Sequence, residues 1–363
     1  MATIELSQPR QQVRSIPGRG ILGRILGNYL VRSLFRVIAT IWFVATLSFF
    51  LFRLLPSSPI DVFIQEAIVQ RGATVEQAQA EATALFDFDL NRPLPLQYLD
   101  FMSQLARGNL GKSLVSRGTP VSGIIATYLP WTLFTVGLGV ILSFTIGIAL
   151  GTLMAYRRGS VIDHVLSAIA AFLHGIPQFV LGLLMIFWLG VQWRWFNLSD
   201  TRGALSPGVT PGFDLGFFAD VLKHAWLPIA AYIFTSISNW MLLMKNATTA
   251  SLEEDYVMVA RARGLSDGRI ASAYVARNSI LPLVSQAAIT FGYALGGSVI
   301  IETLFVYRGI GNRLAESINQ RDYPVMQGIL LVLTAAIILS NLLADVLYSR
   351  IDPRVRVGGG SNR

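Results

Sequence analysis

Apolar residues gather into six long runs along the chain, at about 34–55, 131–155, 166–193, 224–244, 283–301 and 325–348. Each reaches roughly 20 residues, enough for a helix to cross about 30 Å of hydrocarbon. Pro177 and Pro228 fall inside two of the runs, and membrane helices tolerate proline because neighbouring groups satisfy the freed backbone. The pattern predicts six membrane-spanning helices. Two substantial polar stretches separate them, 56–129 and 245–281, and no repeat of 20–50 residues is visible.

Composition supports the same class. Hydrophobic residues make up 53% of the 363, charged residues 14%, and mean hydropathy is +0.54. Soluble domains carry about 25% charged residues, so a soluble nucleic-acid binder is excluded despite the net charge of +8. The chain has no cysteine, which removes disulfides, thiolate metal sites and a cysteine nucleophile. His164, His174 and His224 are scattered, and no metal site is read from them. They read as helix-end or packing residues. No nucleophile–base pair appears, so no catalytic residue is assigned. Asp345 is the one acid that stands out within an apolar run, and it reads as structural near the inner end of the sixth span.

Charge sets the expected topology. With the N-terminus inside, segments 1–36, 156–165, 245–281 and 349–363 are cytoplasmic and hold 17 Lys and Arg against 7 acids. The outer segments hold 12 against 13. This is the positive-inside distribution. The arginines of residues 1–32 then read as orientation and lipid-contact groups rather than a nucleic-acid arm. No removable signal peptide is read there.

The run Gly111-Lys112-Ser113 resembles the end of a phosphate-binding loop, G-x-x-x-x-G-K-[ST]. The first glycine is misplaced: Ala106 stands five residues before Gly111, and Gly108 only three. The segment also falls outside the membrane. It reads as a turn, with Gly108 and Gly111 bending the chain and Lys112 solvated. Any ATP is expected on another subunit.

The inner stretch 247–282 reads ATTASLEEDYVMVARARGLSDGRIASAYVARNSILP. Ser251 with Glu254 three residues later has the form of a capping box and predicts a helix starting there. Gly264 suits a left-handed C-terminal position, Ser266 a second N-cap before a short helix over 267–278, and Pro282 the opening of the fifth span. The result is a helix–turn–helix with small residues at the bend. A docking element and an ordinary solvated loop fit this equally well.

ARARGLS…RNSILP resembles the cytoplasmic loop of ABC importer permeases, in the form used by the dipeptide/oligopeptide/nickel permease family. The general importer pattern is E-A-A-x3-G-x9-I-x-L-P. Here Met258 and Val259 depart from it, and eighteen residues separate Gly264 from Pro282. The longer spacing and the preceding Glu254-Asp255-Tyr256 are how the peptide family writes the loop. RPLPLQYLDFMSQLARGNLGKSL (92–114), YLPWTLFTVGLG (128–139), IPQFVLGLLMIF (176–187), ETLFVYRGIGNRLAESINQRDYPVMQGILL (302–331) and DVLYSRIDPRVR (345–356) are similar to further segments of that family, in order. Arg308 departs from the proline usual before G-[IL]-G.

This resemblance implies an all-α membrane protein of the ABC type I importer permease fold, with six transmembrane helices and both termini cytoplasmic. Its parts would be a basic extension (1–32), a first helix (33–55), an extracytoplasmic segment (56–129), a five-helix core (130–350) with the coupling loop 247–282, and a tail (351–363). It further implies a multi-pass protein of the inner membrane that is not itself an enzyme. Expected partners are a second permease subunit, two ATPase subunits that bind ATP and Mg²⁺, and an extracytoplasmic binding protein. The coupling residues it points to are Asp255, Tyr256, Ala260, Arg261, Ala262, Arg263, Gly264, Leu265, Asp267, Arg269, Arg277, Asn278 and Pro282. Gly264 would set the bend, with Ala260 and Ala262 allowing close packing. Leu265, Asp267 and Arg269 would enter a groove on the ATPase, and Arg261, Arg263, Arg277 and Asn278 would fix the loop against neighbouring helices. The glycine as a simple cap and the arginines as topology markers are the alternatives. Asn239, Gln286 and Thr290 are candidates to line the pathway, with helix–helix hydrogen bonding as the alternative. Di- or oligopeptides are the expected substrate. Nickel complexes or other small solutes, and an ion-coupled secondary transporter, are the other possibilities. A secondary transporter predicts paired broken helices and a midplane ionisable site.

Overall fold

The computed structural model describes residues 29–54, 59–86, 93–116 and 118–351. The basic stretch expected over 1–32 and the tail from 351 lie largely outside these residues. Helices dominate the described residues, joined by turns and irregular stretches, and their one β-bridge pairs Lys112 antiparallel with Pro120. Five helices are long and apolar enough to cross a membrane, and six spans result if a bent pair is counted as one.

The first span is α1 (Tyr29–Leu54). Three helices follow: α2 (Pro59–Arg71), α3 (Val75–Phe86) and α4 (Leu94–Ala106). The second span, α5 (Val121–Tyr156), starts ten residues before the apolar run because Pro120 sets the N-cap and Pro130 is carried inside the helix. At 1.5 Å per residue its length is about 54 Å, well beyond the hydrocarbon.

The third run is not one helix. It forms α6 (Val161–Gly175) and α7 (Gln178–Met185), the latter continued by a π-helical stretch Ile186–Gln192, with a bend of 104° between the halves. The cause is local. Proline disfavours helical geometry at the residue before it, and Ile176 is extended (φ −88°, ψ 123°) ahead of Pro177, which caps α7. Ser160 and Asp163 start α6 reciprocally: Ser160 Oγ accepts from Asp163 N at 3.3 Å and Asp163 Oδ2 from Gly159 N at 3.0 Å.

The fourth span, α8 (Leu215–Leu252), absorbs Pro228. Beyond it come the short α9 (Asp255–Ala262), then α10 (Arg277–Leu304), α11 (Ile310–Asn319) and α12 (Tyr323–Ile351). Two expectations at this end need correction. Ser251 does not start a helix; it lies in the last turn of α8, and Glu254 is the N-cap of α9 without a side-chain capping bond. α8 keeps Ser251 and Leu252, the latter packing on the core that follows, and ends at the C-cap Glu253. Nor does Pro282 open the fifth span. It sits inside α10, which is preceded without a break by Asp267–Arg269 and a π-helical stretch, Ile270–Ala276.

The centre of the packing is α5 against α8. Gly139, Ser143, Gly147 and Gly151 recur at every fourth residue and are all buried on one face of α5. A Cβ on Gly139 would sit 2.6 Å from Tyr232 Cβ, one on Gly151 2.5 Å from the Met241 carbonyl oxygen, and one on Gly147 would overlap Trp240 Cβ. Small residues let membrane helices approach closely and gain dispersion contacts. Gly147→Leu is therefore expected to lower the folded yield in the membrane sharply, whereas Ile141→Leu on the exposed face should not. Equal yields of the two variants would refute this packing. Towards the far end of α8, Lys245 holds α6 through Asp163 (2.6 Å) and Ser167 Oγ (3.0 Å).

Candidate functional site

The stretch after α8 folds into a compact hairpin of its own. α9 packs back on the π-helical start of the fifth span through Val257, Ala260, Ile270 and Val275, with Leu252, Tyr256 and Leu265 around them. Two hydrogen bonds clamp its base. Asn278 Nδ2 donates to Tyr256 Oη at 3.1 Å, and Ser279 Oγ bonds Ser251 Oγ at 3.0 Å. The bend itself is Gly264, with φ +73°, in the left-handed region expected of it. Its N–H donates to the Arg261 carbonyl at 2.9 Å, and Leu265 N to the Ala260 carbonyl at 3.2 Å.

The two sides of the hairpin separate the candidate residues. Asp255, Arg261, Ala262, Arg263, Gly264, Asp267, Arg269 and Arg277 are exposed, together with Met258 and Val259. None of the four arginines forms an ion pair among the described residues. Of Arg261, Arg263, Arg277 and Asn278, expected together to fix the loop, Asn278 bonds Tyr256 within the hairpin. Ala260 is only 3% exposed and Leu265 half-buried. Ala260 belongs to the hairpin's own small core, and Leu265 packs against it. Exposed Pro282 lies further along the span. Of the candidate pathway residues, Asn239, Gln286 and Thr290 are each half-buried.

A second constellation, missed at the level of sequence, joins the quoted segments at the other end of the helices. Glu302 is 0% exposed. Its Oε1 accepts from Thr132 Oγ1 at 2.6 Å, and its Oε2 from Gly311 N at 2.7 Å and Asn312 N at 3.1 Å. Thr132 Oγ1 in turn accepts from Ile310 N at 2.8 Å. A carboxylate thus caps the start of α11, where free N–H groups and the helix dipole favour negative charge. Asp322, equally buried, accepts from Ser113 Oγ and from Leu114 N at 3.1 Å. So α11 is pinned at both ends. The GNLGKS run has a structural part here: Gly108 and Gly111 take φ +76° and +83°, Lys112 is exposed, and Ser113 docks on Asp322. Asp345, singled out from the sequence, is exposed instead. Arg308, in place of the usual proline, is exposed and lies over the Tyr128 ring at 5.4 Å. No group of three metal-ligating side chains occurs among the described residues.

Residues 147–357 match the family model of the binding-protein-dependent transport system inner membrane component. The chain is 32% identical over 339 residues to the di/tripeptide transport system permease protein of Pseudomonas aeruginosa, covering 91% of this chain and 98% of that one. It is 31% identical over 348 residues to the dipeptide transport system permease protein of Escherichia coli, with coverage of 91% and 98%. The oligopeptide transport system permease protein of Bacillus subtilis is 29% identical over 331 residues, with coverage of 91% and 99%. Family match, order of motifs and apolar helices agree: the chain is a multi-pass membrane protein that belongs to the binding-protein-dependent transport system inner membrane components, the permease family of ABC importers.

Proposed function

We propose that this chain is one of two permease subunits of an ATP-driven importer that passes di- or oligopeptides, delivered by an extracytoplasmic binding protein, across the inner membrane. The loop 247–282 faces the cytosol, as do both termini, and the end that carries Glu302 and Asp322 faces out. ATP and Mg²⁺ reside on two separate ATPase subunits. The observation that carries this reading is the hairpin after α8. It is braced on its own core between two spans and turns unpaired Arg261, Arg263, Arg269 and Arg277, with Asp255 and Asp267, outward. Such a rigid charged projection fits a groove on a soluble partner and moves the fourth and fifth spans when that partner moves. The names of the relatives supply peptides as the substrate class.

Isolation of the tagged chain from its native membrane in mild detergent tests the assembly. An ATPase, a second permease and an extracytoplasmic binding protein are expected to co-purify. ATP-driven uptake of a labelled tripeptide into vesicles tests the substrate. A folded preparation without any ATPase refutes the importer reading. Among the described residues, the single bent pair α6–α7 gives a secondary transporter no more than half of its expected broken-helix signature.

A further inference from the structure

The face of α10 that the rest of the chain leaves open carries polar groups at the middle of the membrane, between Ile289 and the exposed Ile300. Leu283, Gly292, Leu295, Ser298 and Ile301 are buried on the opposite side, where a Cβ on Gly292 would meet Ser340 Cβ at 2.9 Å. Tyr293 is 66% exposed. Thr290 and Gln286 stand three and seven residues before it, on the same helical face, and Gly296 and Gly297 continue that face. Gln178, the first residue after the 104° bend, adds a second amide at the edge: its Oε1 lies 3.7 Å from where a Gly297 Cβ would be.

This face is unlike the lipid-exposed surface elsewhere in the molecule. There the exposed mid-span side chains are apolar, such as Phe43 and Leu47 on α1, Ile141 on α5, and Leu339 and Leu343 on α12, or are threonines such as Thr145 that bond a carbonyl of their own helix. Tyrosines that belong to lipid sit at the headgroups, but Tyr293 is in the middle of the apolar run 283–301. A helical threonine can bond its own i−4 carbonyl, as Thr145 does, but a tyrosine hydroxyl cannot fold back in this way, and turned to hydrocarbon it has nothing to bond and costs free energy. The face therefore meets water or polar solute. Its chemistry is also uncharged. No Asp, Glu, Lys or Arg lies between Arg277 and Glu302. An amide offers a donor and an acceptor together, and hydroxyls offer both as well. That set matches the alternating N–H and C=O of a peptide main chain and selects no particular side-chain charge.

We infer that Gln286, Thr290 and Tyr293 form the wall of the translocation pathway that contacts the main chain of the passing peptide. This rests on the peptide-import reading, which the test separates from it. Because the natural chain lacks cysteine, Tyr293→Cys, Thr290→Cys and the lipid-facing control Ile141→Cys each carry a single thiol. Each variant is reconstituted with its partner subunits and binding protein. Reaction with a small, charged methanethiosulfonate is followed with and without a saturating tripeptide, alongside tripeptide uptake. Reaction requires the hydrated thiolate, so the thiols of Tyr293→Cys and Thr290→Cys should react at least about tenfold faster than that of Ile141→Cys. Tripeptide in turnover should slow them several-fold, and modification should stop uptake. If Tyr293→Cys fails to insert, Thr290→Cys decides. Reaction as slow as in the Ile141→Cys control, in variants that transport, overturns the inference and assigns the face to lipid or to a helix of the second permease. Rapid reaction that peptide does not slow also overturns it. An unmodified protein that imports no tripeptide refutes the peptide reading and removes the peptide as occupant, whatever the thiols do.

Discussion

Gly264→Val is expected to leave the protein inserted at its normal level and to abolish peptide uptake. The substitution meets no obstacle inside the chain, since nothing lies within 4 Å of an added Cβ. Its cost is in the backbone. Gly264 has φ +73°, and a residue with a Cβ is disfavoured there by about 1–2 kcal/mol, more when it is β-branched. The bend relieves this by changing shape. The six spans are untouched, so insertion survives. What moves is the relative aim of α9, with Arg261 and Arg263, and of the segment with Asp267 and Arg269. A docking surface made of both halves is lost. Gly264→Asn provides the control, because asparagine tolerates the left-handed region, and it should keep most of the uptake. Quantitative immunoblotting of membranes together with vesicle uptake checks both variants. Normal uptake by the valine variant would falsify the coupling role of this hairpin.

Glu302→Ala is expected to give the largest loss of stability of any single side-chain truncation outside the α5–α8 contact. The carboxylate accepts from Thr132 Oγ1, Gly311 N and Asn312 N in a site closed to solvent. Its removal orphans three buried donors, at about 1–3 kcal/mol each. The loss lands on one element, since α11 depends on Glu302 at its start and on Asp322 after its end. Glu302→Gln should cost less, because its amide oxygen can still accept from the two backbone N–H groups. The local effect is measurable in the cysteine-free chain. Ser317, fully buried on α11, is the reporter position. The thiol of Ser317→Cys should resist a maleimide when Glu302 is present and react readily once Glu302→Ala is added. Equal thermal stability and equal protection of that thiol in both backgrounds would show that Glu302 is not the anchor of α11.

Much of the architecture was legible in consecutive residues. Six apolar runs correspond to five helices and one bent pair, because each span is matched to a single surrounding, the hydrocarbon, and length and hydropathy report that directly. Gly264 at the bend of 255–269 was legible for a similar reason: a positive φ is a demand of the local backbone, and glycine meets it with least strain. The same holds for the glycines before Lys112. The order of short motifs carried the family. Element ends were less accessible. The Ser251–Glu254 spacing fits a helix start at Ser251, yet α8 extends to Leu252, which packs on the hairpin core, and the next helix starts only after Glu254.

The sequence by itself therefore determined the membrane class, the number of apolar runs, the family and the turn at Gly264. Only the tertiary structure decided that Pro177 turns the chain by 104° rather than being absorbed as Pro228 is, since both prolines stand in apolar surroundings and differ in what packs around them. It alone decided that Ala260 and Leu265 serve the hairpin's own core, and that Tyr293 is left open beside Gln286 and Thr290. It also chose Glu302 and Asp322, not Asp345, as fully buried carboxylates. Their partners Thr132 and Ser113 lie 170 and 209 residues away along the chain. Helical periodicity is a property of neighbours in sequence, whereas a buried charge is stable only where folding brings distant donors to it.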